Sequence, residues 1–314
     1  MRFVPRGCIS FIVAAAIWGT SAVDGKAQNV EPAPESPSQT PRSLDDSTIQ
    51  HDSTGQKSLH PFTRLLREGE ALAKARDYNR AIESYNRALA LGAPTPLAEA
   101  IALTYRAGAL SRSGKIKEAI ADHDRAVSLD SNAFTRWARA ETLRKAGRPK
   151  EALSDYEIAL KLAPDDAAAW VGRGDAFAKL GQHSDAKAAF DRAVSIEPST
   201  HSLMQRAYYL AGRRDFDGAI KDYSSVLQEN PGDLLARVNR ANAYAERGDL
   251  DLAFSDYEAA LRNNGPSALV YRGRGWVYEK QGRYDLARAD YERAQQLAPN
   301  DTWLQKALKK LPKQ

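Results

Sequence analysis

From Phe62 to Asp301 the apolar and polar positions fall into one pattern that returns seven times, at a step of about 34 residues. In the later half of each copy an alanine is followed four residues on by an aromatic or histidine, and three after that by a small residue. The copies read Ala81-Tyr85-Ala88, Ala119-His123-Ala126, Ala152-Tyr156-Ala159, Ala186-Phe190-Ala193, Ala219-Tyr223-Val226, Ala253-Tyr257-Ala260 and Ala287-Tyr291-Ala294. The earlier half holds a small residue at one fixed place: Gly69, Ala107, Ala140, Gly174, Ala207, Ala241 and Gly275. Three residues later stand Leu72, Leu110, Leu143, Phe177, Leu210, Tyr244 and Tyr278, large partners for a close helix contact. Gly114, Gly147, Gly181, Gly248 and Gly282 follow as turn signals, since glycine fits the left-handed backbone of a helix C-cap. Each copy therefore predicts helix, turn, helix, and most end on a proline: Pro164, Pro198, Pro231, Pro266 and Pro299.

These residues resemble the tetratricopeptide repeat family, whose pattern is W-x2-L-G-x2-Y, then A-x3-F, then P. The fullest matches are Trp170, Gly174, Phe177, Ala186, Phe190 and Pro198, and then Tyr271, Gly275, Tyr278, Ala287, Tyr291 and Pro299. The resemblance covers about three quarters of the chain and implies an all-α fold, a right-handed superhelical solenoid of about seven helix-turn-helix repeats. Its repeats span about 62–95, 100–132, 133–166, 167–199, 200–233, 234–267 and 268–301. A capping helix over 302–314 is expected after them: Trp303, Leu304, Ala307, Leu308 and Leu311 fall at helical spacing, with Lys306, Lys309 and Lys310 opposite.

Two copies depart from the pattern. The step from Ala81 to Ala119 is stretched by about one helical turn around Gly92–Pro96, so the next helix is expected to start early, near Leu97. His123 stands where the others carry an aromatic. With no second His or Cys at ligand spacing, it reads as a packed ring rather than a metal ligand.

The front of the chain is different in kind. Arg2 and Arg6 precede the apolar run Cys8–Trp18 and then Gly19-Thr20-Ser21-Ala22, the layout of a secretory signal peptide over residues 1–27. Cleavage is expected after Ala22 or Ala27, which points to the periplasm; the alternative is an uncleaved anchor in the inner membrane. The single cysteine, Cys8, lies in this segment, so a processed chain has no disulfide, thiol or haem-attachment chemistry. Residues 28–60 are rich in Pro and Ser and poor in large apolar residues, and read as a disordered linker. The net charge of +5 leaves residues 61–314 at about +6, too dilute over a long surface to announce nucleic-acid binding.

Within the repeats, arginine recurs as Arg106, Arg139, Arg173, Arg206, Arg240 and Arg274, and aspartate as Asp122, Asp155, Asp222, Asp256 and Asp290. A ladder of bidentate Arg–Asp pairs accounts for both series, against the alternative of a basic strip for an anionic polymer. The fourth copy has Ala189 in place of the aspartate, which leaves Arg173 the freest of the six. In the family the first helix of each repeat lines the concave side. The resemblance thus implies a partner-binding groove at Tyr105, Phe134, Trp137, Arg144, Lys145, Asp175, Tyr208, Asn239, Asn242, Arg272 and Trp276, with His201 and Met204 beside them. Aromatics mixed with Arg and Asn are typical of recognition surfaces. The Lys/Asn/Arg carboxylate clamp of some members is not matched, because Leu269 and Gly273 stand where basic residues belong.

No H-E-x-x-H, G-x-S-x-G, phosphate loop or dinucleotide fingerprint is present, so neither catalysis nor a cofactor is expected. The reading is a non-catalytic interaction scaffold or assembly factor of the cell envelope that holds a peptide or helix of a protein partner. Its alternatives are a binder of anionic envelope polymers and a non-catalytic subunit of an envelope enzyme complex.

Overall fold

A computed structural model of the protein describes residues 49–51 and 57–312. The signal-peptide reading and most of the linker reading lie outside the described residues. At the front of the described part, β1 (Ile49–His51) pairs antiparallel with β2 (Lys57–Leu59) in the register Ile49↔Leu59 and His51↔Lys57. The rest is helical, and 15 helices occur among the described residues. They form two compact units, one ending at Ser202 and one beginning at Leu203.

The unit ending at Ser202 contains α1 (Pro61–Lys74), α2 (Tyr78–Ala90), α3 (Pro96–Arg112), α4 (Ile116–Leu129), α5 (Ala133–Lys145), α6 (Pro149–Leu162), α7 (Ala167–Lys179) and α8 (His183–Ile196). The unit from Leu203 holds most of α9 (Thr200–Gly212), then α10 (Phe216–Glu229), α11 (Leu234–Arg247), α12 (Leu250–Asn264), α13 (Ala268–Lys280), α14 (Tyr284–Leu297) and α15 (Thr302–Lys310). Within each unit the helices pack as hairpins, α1 on α2 and α13 on α14, and each hairpin leans on the first helix of the next. First helices also touch their successors, α3 on α5, α5 on α7 and α11 on α13. The fold class is all-α, as the repeat pattern predicts.

The recurrent aromatic is the keystone of each hairpin. Tyr85, Tyr156, Tyr223, Tyr257 and Tyr291 are all at most 1 % exposed, and the alanines around them are equally buried. The facing small residue makes this possible: a Cβ on Gly69 would sit 2.5 Å from the Tyr85 ring, which no real contact tolerates. His123 is buried at the same place, with Nε2 3.1 Å from Thr142 Oγ1. Burial, with the Arg139 cation nearby, pushes its pKa down to about 3, so the ring packs as a neutral aromatic substitute.

Local sequence sets the ends. The stretched junction is absorbed by α3, which starts a turn early at Pro96 with Thr95 capping the Ala98 N–H at 3.1 Å. Asn132 and Thr135 form a reciprocal capping box at the start of α5. The five turn glycines all take positive φ, between 73° and 107°. In the first and fifth copies that place is held by Arg76 and Arg214, at φ 63° and 65°. After α14, Asp301 caps α15, whose Leu304 is fully buried and whose Trp303 meets Tyr291 edge-on at 5.5 Å.

Candidate functional site

The arginine and aspartate series meet within each hairpin. Nε and Nη2 of Arg106, Arg139, Arg206, Arg240 and Arg274 donate to both carboxylate oxygens of Asp122, Asp155, Asp222, Asp256 and Asp290, at 2.7–2.9 Å. The aspartates are nearly buried, and the parallel geometry is the strongest form of this pair. Several of these arginines reach back to the preceding copy through Nη1: Arg106 to Asn86 (2.8 Å), Arg139 to Asp124 (2.9 Å) and Arg240 to Ser224 (3.0 Å). The series ties hairpins internally and to one another. A basic strip for an anionic polymer thereby loses its main cations, leaving only Arg173 outside the ladder.

The face built from first helices carries the remaining candidates. In the unit ending at Ser202, Tyr105 lies 6.2 Å from Tyr85 and meets Phe134 edge-on at 6.1 Å, and Phe134 stacks on Trp137 at 6.3 Å. Phe134 and Trp137 are 7 % and 8 % exposed, so they belong to the core rather than to a contact surface. Large rings seated where first helices converge are drawn inward by the apolar neighbours around α6 and α7.

Beside this seam a charged cluster forms. Arg144 donates to Glu141 (2.9 Å) and to Asp175 (2.6 Å), and the Tyr156 hydroxyl donates to Glu141. Burial alone would raise the Glu141 carboxyl; the adjacent Arg144 outweighs it and holds the acid below its usual range. Lys179 adds a second cation 3.5 Å from Asp175, and Lys145 is exposed at the end of α5. Both acids of the cluster are paired, while among the described residues Arg144 Nε is buried without a hydrogen-bond partner.

In the unit from Leu203 the candidates have spare bonding capacity. Asn239 Nδ2 donates to the Tyr208 hydroxyl at 3.1 Å, and the Tyr257 hydroxyl donates to Asn242 Oδ1 at 2.5 Å. Among the described residues this leaves Asn239 Oδ1 and Asn242 Nδ2 without an intramolecular partner. The two amides stand one helical turn apart, an acceptor edge and a donor edge on one helix face. Next along, Lys280 reaches Glu246 at 3.2 Å and lies 4.0 Å over the Trp276 ring, while the Tyr291 hydroxyl donates to Glu279 at 2.7 Å. Arg272 donates to Asp301 at 3.2 Å with Trp303 beneath its guanidinium, which ties it to the cap. Met204, on α9, is buried.

Sequence reasoning missed the anchors of this face: Glu141, Glu246 and Glu279, and the hydroxyls of Tyr156, Tyr257 and Tyr291. The signal was available, because an acid or amide recurs one position after the small packing residue or one turn later. It was masked by reading the tyrosines as apolar rings only. Gly172 and Gly273 belong to the same set. A Cβ on Gly172 would fall 2.4 Å from the Tyr156 hydroxyl oxygen, and one on Gly273 2.9 Å from that of Tyr257.

Tetratricopeptide repeat family models match residues 66–134, 138–200, 204–268 and 268–301. A TPR repeat-containing protein of Methanocaldococcus jannaschii is 29 % identical over 183 residues, 55 % of this chain but only 32 % of that protein's length. A crystal structure of a tetratricopeptide repeat protein from Parabacteroides merdae superposes with a TM-score of 0.61 at 24 % identity, covering 79 % of this chain and 98 % of that one. The APC/C hetero-tetramer Cut9–Hcn1 gives a TM-score of 0.57 at 17 % identity, covering 79 % of this chain and 47 % of the other. At these identities the structural likeness speaks for the fold alone.

Proposed function

Because the chain belongs to the tetratricopeptide repeat family, a family of protein-interaction modules, we propose that it is a non-catalytic scaffold whose first-helix face holds an extended peptide segment of a protein partner. The observation that carries this reading is the pair of half-used amides on α11. Asn242 Nδ2 can donate to a peptide carbonyl while Asn239 Oδ1 accepts from a peptide N–H, and each fixed amide is oriented by a tyrosine hydroxyl. Trp276, braced by Lys280, offers an aromatic surface on the following first helix. Preorganised helix pairs leave most of the ordering cost to the peptide.

The reading extends to an exported protein working in the cell envelope, on the strength of Arg2, Arg6 and the Cys8–Trp18 run. Fusing residues 1–30 to alkaline phosphatase lacking its own signal tests export: activity in the bacterial envelope is expected, and an inactive fusion would refute it.

The groove reading is tested by selecting peptides from a random library on the purified repeats and mapping them by NMR. Expected are shifts at the side-chain amides of Asn239 and Asn242 and at the Trp276 indole. Perturbations confined to second helices would contradict it.

A further inference from the structure

Arg173 is the arginine that the ladder leaves out. In the other five copies the equivalent guanidinium presents Nε and Nη2 to an aspartate two hydrogen bonds wide. Here Ala189 stands in the aspartate position, 1 % exposed. No carboxylate among the described residues lies within ion-pair distance of Arg173. Glu157, which occupies the place that Asp124 holds opposite Arg139, feels the Arg173 charge but pairs instead with Lys161 at 3.0 Å.

What holds Arg173 is aromatic. Its Cζ lies 5.0 Å over the Trp170 ring and 5.1 Å over the Phe177 ring. Trp170 is itself pinned, with Nε1 donating to the Pro164 carbonyl at 2.8 Å. Rings against a guanidinium contact its faces and leave its N–H edge, the edge that binds carboxylate, for in-plane hydrogen bonds. The cation is thus preorganised, half-buried and short of its counter-ion.

We propose that Arg173 is a docking point for a carboxylate the chain does not supply, an Asp or Glu side chain of a partner protein received by the Trp170–Arg173–Phe177 sandwich. The site is separate from the amide pair on α11. The five filled copies define its ligand, because each binds a carboxylate through the same two nitrogens. A fork-shaped donor matches that planar two-oxygen acceptor. A phosphate can also take this fork, but the five filled copies hold carboxylates, and Arg173 is the single cation in the sandwich to offset a phosphate's larger charge.

The test uses the full chain and an acetylated, amidated tetraglutamate peptide, with tetraglutamine as control. The Arg173 Nε–Hε NMR signal, assigned by its loss in Arg173→Gln, is followed alongside that of paired Arg274. Expected is a saturable shift of the Arg173 signal with tetraglutamate only, and none at Arg274. Ala189→Asp, which restores the missing acid, is expected to weaken the peptide at least tenfold while holding or raising the melting temperature. Arg173→Lys, which keeps the charge but loses the fork, is expected to weaken it at least threefold. An unmoved Arg173 signal, or either variant binding as wild type, would overturn the proposal. So would inorganic phosphate binding Arg173 more tightly than tetraglutamate.

Discussion

Arg76 and Arg214 sit in left-handed turns, at φ 63° and 65°, where five sister copies use glycine. A side chain there costs about 1–2 kcal/mol, part of which glycine gives back through a freer unfolded chain. Arg214→Gly is expected to stabilise the protein by about 1 kcal/mol in urea unfolding; a loss of stability would mean the arginine side chain contributes something the backbone does not show. His123 offers a pH test. Its folded pKa, about 3, lies below the ordinary 6.5, so the unfolded chain binds the proton more readily in between. The stability this ring contributes is complete above pH 6.5 and is lost progressively as pH falls towards 3. Relative to His123→Phe, wild type is expected to lose about 2 kcal/mol between pH 7 and pH 5. Parallel pH profiles for the two proteins would contradict a neutral buried imidazole.

At the scale of elements, the ladder pairs decide how hairpins hold together. Asp256 is 8 % exposed and is bound by Arg240 at 2.8 Å, with Arg237 at 3.6 Å. Removing the acid alone strands two partly buried cations, so Asp256→Ala is expected to cost about 3 kcal/mol. Replacing the pair together, Arg240→Met with Asp256→Leu, is expected to cost less, because only the more distant Arg237 is then left without its acid. Equal losses in the single and double variants would show that the bond itself, rather than the unpaired charge, carries the effect. The Tyr156–Glu141 link makes a similar demand on space. Gly172→Ala would place a methyl 2.4 Å from the tyrosine oxygen, and a loss of about 1–3 kcal/mol is expected by thermal unfolding.

These elements also show what was legible in the sequence. The hairpins, the Arg–Asp ladder and the missing acid opposite Arg173 could be read because a period turns each copy into a control for the others. The face built from first helices was harder. Trp137 and Phe134 carry the composition of a recognition surface, yet both are buried. Spacing places a residue on a face but does not say how closely the next helix covers it. The glutamates that catch tyrosine hydroxyls escaped for a related reason, since a periodic aromatic looks like core and its polar end is overlooked.

Across the whole molecule, the residues that repeat build the array, and specificity falls to those that vary between copies. Asn239 and Asn242 are such residues, and the central claim is that they grip a partner's backbone. The most direct measurement is fluorescence anisotropy with a peptide selected on the wild-type repeats, repeated with Asn239→Ala/Asn242→Ala after melting curves confirm that the variant is folded. Two lost hydrogen bonds at about 0.5–1.5 kcal/mol each predict an affinity at least about fivefold weaker. An unchanged Kd in the folded double variant would contradict the account.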